Sequence, residues 1–293
     1  MSVEGKIAFV AGGGRGIGRA TAIALARAGA HVAIGSRTQH ELDEVASTLN
    51  KYGSQASAFK MDVANESDVT NAVSELIDTH GRIDIMVNAA GVLSPIGPTW
   101  EVDSQEWQRT LQINVTGLFF LCKAVLPSMI KSKQGKIICF SGGGATSAFP
   151  RFSAYSASKS AVVRLAETLA EEVKEFNIQV NAVAPGMVNT GMQESVLAAG
   201  EKAGEQYRRV KDALENDLED KTMVSPDLTA ELVVFLASVS SGKLSGKLIS
   251  APHDNWKSWN ADDLDKMMSS DWLNLRRFDK FTVDHNIEGL VEQ

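Results

Sequence analysis

The first thirty residues hold the strongest constraint on the fold, a glycine-rich turn between an apolar segment and a helix-forming segment. Residues 6–11 form a short apolar run that predicts a buried strand. The turn reads Gly12-Gly13-Gly14-Arg15-Gly16-Ile17-Gly18, and residues 19–28 favour a helix that Gly29 ends. Glycines let the backbone approach a pyrophosphate, and a helix start offers unpaired N–H groups. The segment therefore predicts a dinucleotide-binding turn rather than a merely flexible one.

The end of the second predicted strand, residues 31–35, bears on which dinucleotide binds. This strand leads into Ser36 and Arg37. In dinucleotide folds a carboxylate here binds the ribose 2′-hydroxyl, whereas a basic residue accommodates a 2′-phosphate. The strand end has no carboxylate, and Arg37 could bracket a phosphate together with Arg15 while Ser36 donates a hydrogen bond. We therefore predict NADP(H) over NAD(H), the alternative being that both arginines are solvated surface charges.

Strand-like and helix-like segments alternate along most of the chain. Further strands are predicted at residues 57–61, 83–87, 136–140, 179–184 and 246–250, and the longest helix at 104–130. This alternation predicts an α/β fold, a doubly wound, mostly parallel, Rossmann-like sheet of about seven strands with helices on both faces. Asp62 and Asn88 follow two of the strands, so both are expected at the ligand-binding edge of the sheet.

The segment from Ser141 to Lys159 contains a second chemical signal. Tyr155 and Lys159 lie four residues apart on a predicted helix, so they project from the same face. A cation near a phenol favours the phenolate and would lower its pKa, which suits a group that exchanges protons at neutral pH. Asn114 lies among apolar residues of the long helix and is either a structural hydrogen-bonder or part of a polar relay.

The composition opposes several classes of function. A formal net charge of -7 argues against binding to nucleic acid or to an anionic membrane surface. No window reaches the ~18 apolar residues of a membrane span. Cys122 and Cys139 are predicted to be buried thiols, and the histidines show no metal-ligand spacing. We expect a cytoplasmic protein without a metal site.

These features together resemble the short-chain dehydrogenase/reductase family over roughly residues 3–250. The matching motifs, in family order, are Gly12-x-x-x-Gly16-x-Gly18, Asp62, Asn88-Ala-Ala-Gly91, Asn114, Tyr155-x-x-x-Lys159 and Pro185-Gly186 through Thr190. The resemblance implies an NAD(P)(H)-dependent oxidoreductase that acts on a small-molecule secondary alcohol or ketone and assembles as a homotetramer or homodimer. The cofactor contacts that it and the turn imply are Gly12, Gly14, Arg15, Gly16, Ile17, Gly18, Ser36, Arg37, Asp62, Val63, Asn88, Ala89, Gly91, Tyr155, Lys159, Pro185, Gly186, Val188 and Thr190.

The resemblance also assigns catalytic roles, and one of them lacks its usual residue. Tyr155 would be the general acid/base, Lys159 would support it and hold the nicotinamide ribose, and Asn114 would anchor a proton relay. The family's substrate-polarising serine falls on Gly142. Possible substitutes are the Ser141 hydroxyl, the Thr146 or Ser147 hydroxyl, or a backbone N–H of Gly142 or Gly143. The alternative function is therefore a catalytically impaired NADP-binding sensor or assembly subunit.

Two C-terminal regions depart from a minimal dinucleotide domain. The segment 190–225 is longer and more charged than a tight crossover connection. It is either a helical lid over the substrate or a plain surface helical hairpin. The resemblance covers a catalytic domain at 1–250 and stops there. The extension at 251–293 includes Trp256, Trp259 and Trp272, so we expect it to pack on the body or on a neighbouring subunit. That it completes the substrate pocket is a further hypothesis.

Overall fold

The computed structural model describes residues 1–215 and 223–277, and within them seven strands form one sheet. They are β1 (Ile7–Ala11), β2 (His31–Ser36), β3 (Ser57–Lys60), β4 (Ile85–Asn88), β5 (Gly135–Phe140), β6 (Ile178–Ala184) and β7 (Leu248–Ser250). The sheet order is β3-β2-β1-β4-β5-β6-β7, and every neighbouring pair is parallel. The direction of winding reverses between β1 and β4, which places a ligand crevice at their carboxyl ends.

Helices cover both faces of this sheet. In chain order they are α1 (Gly16–Arg27), α2 (Gln39–Asn50), α3 (Glu66–His80), α4 (Ser104–Leu111), α5 (Gly117–Ser132), α6 (Ser153–Val173), α7 (Gly191–Ala199), α8 (Glu205–Glu215), α9 (Pro226–Ala237) and α10 (Ala261–Met268). Buried residues of α1, α2, α9 and α10 form the core on one face, and those of α3, α5 and α6 form the core on the other. Successive side chains of β1 point into the two cores in turn, with Val10 in the first core and Phe9 in the second. The predicted doubly wound α/β fold is confirmed.

The long helix predicted at residues 104–130 is interrupted. A single π-helical turn, Gln112–Thr116, separates α4 from α5. The whole run Ser104–Ser132 is long and apolar enough to cross a membrane by length and composition, contrary to the expectation from sequence. Leu118 and Val125 of α5 are fully buried in the core beneath the sheet. This packing is typical of a core helix in a soluble fold.

The described part of the C-terminal extension, residues 251–277, packs on the body of the same chain. Trp256 is buried against Phe235 of α9, and its indole N–H donates to the Ala251 carbonyl at 3.1 Å. Further on, the Leu273 carbonyl accepts a hydrogen bond from the Leu248 N–H of β7 at 2.7 Å. The extension thus covers the outer edge of β7. Residues 278–293 of the extension and 216–222 of the predicted lid lie outside the described residues.

The Glu167 carboxylate of α6 anchors the last described turn of the extension. Its side chain is only 8% exposed. One carboxylate oxygen accepts the Leu275 N–H at 2.7 Å, and the other pairs with Arg164 and with Arg276 at 3.4 Å. A buried carboxylate that is paired in this way stabilises the folded chain, because removing its charge leaves its donors without an acceptor.

We predict that Glu167→Gln lowers the free energy of unfolding by about 1–3 kcal/mol, since the amide cannot replace the charge-assisted hydrogen bonds. Urea denaturation measures the change. Glu171→Gln is the matched control on the same helix, because Glu171 is 77% exposed and pairs only with Lys174 among the described residues. The control should leave stability nearly unchanged. Equal losses in the two variants would contradict the anchoring role.

Candidate active site

Two adjoining cavities open at the carboxyl ends of the strands, and most of the predicted site residues lie in them. A cavity of about 500 Å³ lies against the glycine turn, and one of about 590 Å³ lies against Tyr155. Ile17, Thr190 and Met192 line both cavities. A ligand in the first cavity would therefore border a ligand in the second.

The glycine turn packs so closely on itself and on the chain after β4 that a side chain at Gly12 or Gly18 would not fit. Gly12 has φ 79°, and a Cβ there would lie 2.5 Å from the Ala90 N. A Cβ on Gly18 would overlap the Gly12 carbonyl oxygen. Among the described residues, the Gly14 N–H donates to no backbone oxygen, and Gly16 begins α1, so its N–H has no intrahelical acceptor. This cradle of unpaired N–H groups fits the pyrophosphate of a dinucleotide.

Most predicted cofactor contacts lie in these two cavities. Gly12, Gly14, Arg15, Gly16, Gly18, Ser36, Arg37, Asp62, Val63, Ala89 and Gly91 line the first cavity, Tyr155, Pro185, Gly186 and Val188 line the second, and Ile17 and Thr190 line both. Asn88 and Lys159 are buried and are not among the described residues that line either cavity. The Asn88 side chain instead accepts the Ala90 N–H at 3.2 Å and so holds the strand-end turn.

Sequence reasoning missed one charged residue of the first cavity. Glu41, in the first turn of α2, lines the cavity beside Ser36 and Arg37, and its carboxylate lies 3.9 Å from the Arg15 guanidinium. The strand end itself has no carboxylate, as the sequence indicated, but the next helix brings one beside it. The signal in the sequence was a Glu at the start of the next helix, five residues beyond the strand end.

Tyr155 and Lys159 come together as the helical spacing predicted. The Lys159 ammonium lies 5.5 Å from the centroid of the Tyr155 ring. It also donates to the Phe140 carbonyl at 2.8 Å, which ties the first turns of α6 to the end of β5. Tyr155 lines the larger cavity with Gly142 and Phe149.

Burial controls the proton affinities of this pair. Burial raises the pKa of Tyr155 to about 12, whereas the charge of Lys159 alone was expected to lower it. Burial also lowers the pKa of Lys159 to about 8, although the nearby Cys139 thiol opposes this shift. Desolvation is the main cause of both pKa shifts because both side chains are almost completely enclosed. The phenol therefore holds its proton at neutral pH.

The glycine at the serine position contacts Tyr155 directly. A Cβ on Gly142 would overlap the Tyr155 hydroxyl, so the phenol occupies the space that a side chain would need. Ser141 is buried, and its hydroxyl donates to the Lys159 carbonyl at 3.4 Å. Of the hydroxyl candidates, Thr146 lines the larger cavity, whereas Ser141 and Ser147 are not among its described lining residues. The structure thus does not bring Ser141 to the site.

Asn114 lies in the π-helical turn and is 1% exposed. Its side-chain oxygen accepts the Val92 N–H at 2.8 Å, and its amide donates to the Val92 carbonyl and to the Ser158 hydroxyl, each at 2.9 Å. These bonds join the loop after β4 to α6. The side chain therefore serves as a structural hydrogen-bonder, and a relay role stays a prediction.

The helical region after β6 and the C-terminal extension both form walls of the larger cavity. Met192 and Val196 of α7 pack in one apolar cluster with Tyr155. The extension contributes His253, Asp254, Leu273 and Asn274 to the same lining. A pocket bounded by these two segments is shaped by residues that a minimal dinucleotide domain lacks.

Comparison with known proteins places this site in a family. A profile described as short chain dehydrogenase matches residues 6–200. The chain belongs to the short-chain dehydrogenase/reductase family. It is therefore an NAD(P)-dependent oxidoreductase.

Relatives of known name cover most of the chain. The 2,3-dihydro-2,3-dihydroxybenzoate dehydrogenase of Bacillus subtilis is 33% identical over 243 residues, which are 83% of this chain and 93% of that protein. The crystal structure of NAD⁺-bound xylitol dehydrogenase matches with a TM-score of 0.79 and 28% identity, covering 85% of this chain and 98% of that one. A Beutenbergia cavernae protein provisionally assigned as an NAD(P)-dependent gluconate 5-dehydrogenase, with NADP bound at low occupancy, matches with a TM-score of 0.76 and 31% identity over 85% and 96%. The family uses both dinucleotides, so membership alone does not choose between them.

We predict that Gly142→Ala lowers kcat at least about tenfold, because the added methyl displaces the Tyr155 hydroxyl and small misplacements of a reacting group are costly. It should also lower the free energy of unfolding by about 1–3 kcal/mol through overpacking. Both quantities can be measured on purified protein.

Gly143→Ala is the matched control, since a Cβ there meets only the Phe149 ring at 3.8 Å. This variant should keep nearly full stability and lose less activity than Gly142→Ala, because its methyl does not reach the Tyr155 hydroxyl and its backbone N–H is retained. If the two variants show the same kcat and the same free energy of unfolding, the contact between Gly142 and the Tyr155 hydroxyl contributes to neither.

Proposed function

We propose that this protein transfers hydride between a nicotinamide cofactor and the carbon of a secondary alcohol or ketone, with Tyr155 as the general acid/base. The observation that supports this most directly is the position of Tyr155. Its ring lines the larger cavity, which adjoins the dinucleotide cradle through Ile17, Thr190 and Met192. A substrate there would have a proton donor on one side and the bound cofactor on the other.

The residues divide the work between proton transfer and positioning. A bound nicotinamide supplies or accepts the hydride. In the reductive direction, Tyr155 donates its proton to the carbonyl oxygen, and its raised pKa keeps that proton available at neutral pH. The Lys159 ammonium, held by the Phe140 carbonyl, stabilises the phenolate that results. In the oxidative direction the same phenolate removes the alcohol proton.

Backbone N–H groups are the proposed replacement for the missing serine. The Gly142 N–H and the Gly143 N–H donate to no backbone oxygen among the described residues, and both glycines line the larger cavity. Gly142 also lies directly beside the Tyr155 hydroxyl, since a Cβ there would overlap it. Two such donors could orient and polarise the substrate oxygen without a side chain. The Thr146 hydroxyl is the competing candidate on the same cavity wall.

We further propose NADP(H) as the preferred cofactor. Arg37 is exposed beside Ser36 at the end of the first cavity, and it has no ion pair among the described residues. An unpaired guanidinium at this position is suited to a 2′-phosphate.

The substrate is proposed to be a small hydroxylated or cyclic compound. The lining of the larger cavity combines apolar side chains such as Leu93 and Met187 with polar ones such as Gln193 and Arg209. Relatives act, by their names, on xylitol and on a dihydrodihydroxybenzoate. These two compounds and their analogues form the first substrate panel.

Assembly and location complete the proposal. Phe119 of α5 is 47% exposed and packs against Phe120, so α5 presents an aromatic surface that a second copy could cover. We propose a homodimer or homotetramer on this basis.

Cys122 and Cys139 are buried free thiols, which suits a reducing compartment such as the cytoplasm.

We predict that Tyr155→Phe lowers kcat between about 100- and 10,000-fold, because the variant has no proton to transfer. Its affinity for NADPH, measured by fluorescence titration, should stay within about twofold, because binding energy comes from the glycine cradle and the adenosine end.

Two controls sharpen this test. Tyr207→Phe removes a phenolic hydroxyl from the apolar cluster that also contains Tyr155. Tyr207 is not among the described residues that line the larger cavity, so this variant should retain full activity. Thr146→Val should retain activity within about threefold if the backbone donors orient the oxygen, whereas a larger loss would assign that role to Thr146. Full activity in Tyr155→Phe would refute the proposed chemistry. Absence of turnover in the wild type with every substrate would favour the impaired-sensor alternative.

A further inference from the structure

We propose that Glu41 is a cofactor-discriminating residue that limits the preference for NADP(H) and lets the site also accept NAD(H). The proposal rests on the nucleotide site described above and adds a residue to it. Glu41 lies in the first turn of α2, outside the strand end where the predicted discriminating residues lie. Its role follows from what its carboxylate touches and from the charge balance around it.

The Glu41 side chain lies at the Ser36–Arg37 end of the first cavity, the adenosine end, which would hold the adenosine ribose of a bound dinucleotide. It is 22% exposed and lines the cavity beside Ser36 and Arg37. A Cβ on Gly14 would lie 2.8 Å from the Ser36 hydroxyl and 3.2 Å from a Glu41 carboxylate oxygen. Gly14, Ser36 and Glu41 therefore meet at one point. A group that approaches Ser36 from the cavity also approaches the carboxylate.

The carboxylate changes the charge that this end presents. Arg15 is 75% exposed, and its guanidinium lies 3.9 Å from the Glu41 carboxylate. Arg37 has no ion pair or hydrogen bond among residues 1–215 and 223–277 other than those of its backbone. Of the two arginines in this cavity, Arg37 therefore presents an unpaired guanidinium within those residues, whereas the charge of Arg15 is partly neutralised by Glu41.

This arrangement affects the two dinucleotides in opposite ways. A 2′-phosphate carries nearly two negative charges, so the carboxylate repels it and competes with it for Arg15. The ribose 2′-hydroxyl of NAD(H) is a donor, and a carboxylate is a good acceptor for it. Glu41 is thus expected to weaken NADP(H) binding and to support NAD(H) binding. It therefore reduces the difference in affinity between the two dinucleotides that Arg37 creates.

The test compares the dissociation constants of NADPH and NADH for the full-length protein, measured by fluorescence titration at fixed low ionic strength. Glu41→Gln should tighten NADPH binding roughly tenfold, because a partly buried like charge is removed. NADH binding should stay the same or weaken. The ratio of the two constants therefore shifts toward NADPH by about tenfold or more.

Glu44→Gln is the matched control. Glu44 is exposed on the same helix, and its side chain has no ion pair among the described residues, yet its substitution changes the net charge of the protein by the same amount. This control should leave the ratio within about twofold, because exposed charges are screened. A melting temperature for each variant shows that the fold is intact. If Glu41→Gln does not fold, Glu41→Ala gives the second test, and it should shift the ratio toward NADPH in the same way because it also removes the carboxylate.

Three outcomes would overturn the proposal: a ratio in Glu41→Gln that matches the one in Glu44→Gln, an equal change for both nucleotides, or no binding of either nucleotide by the wild type. The last result would show that the first cavity is not a nucleotide site. The first two leave the proposed function intact, since turnover and its dependence on Tyr155 are measured separately. Failure of the Glu41 proposal and failure of the proposed function are therefore distinguishable.

Discussion

The contact between the end of β5 and the first turns of α6 determines the geometry of the whole site. The Lys159 ammonium reaches back to the Phe140 carbonyl at 2.8 Å, and the Tyr155 hydroxyl fills the space beside Gly142. The two contacts join residues 19 and 13 apart in sequence and hold the two segments at a fixed distance. The larger cavity, the position of the phenol and the exposure of the glycine N–H groups all depend on this contact.

Burial gives this pair its chemical character. Enclosure raises the pKa of Tyr155 and lowers that of Lys159, so the neutral phenol is the resting form and the lysine charge is held at a cost. A phenol that keeps its proton is ready to donate it, and a cation near its ring face is ready to stabilise the anion that forms. Arg15, Arg37 and Glu41 line the other cavity, so the residues proposed to recognise the nucleotide are spatially separate from the proposed proton donor.

The fold and the cofactor turn could be predicted from sequence because each depends on local patterns. The period of apolar residues identified the strands, and the glycine turn at residues 12–18 marked the crevice. Glu41 was missed because its importance comes from how α2 begins beside Gly14, a tertiary contact. The pKa of Tyr155 was misjudged in direction because spacing shows a neighbouring charge but not the extent of burial. The docking of Leu275 on Glu167 likewise joins residues far apart in sequence.

We propose above all that hydride passes between nicotinamide and a substrate carbon in the cavity beside Tyr155. The most direct measurement uses NADPH and NADH deuterated at C4 of the nicotinamide, separately on each face, with a panel of ketones and the wild-type protein. We expect deuterium at the carbinol carbon of the product, delivered from only one of the two faces. Product that contains no deuterium from either labelled cofactor, or no product from any ketone despite bound nucleotide, would contradict it.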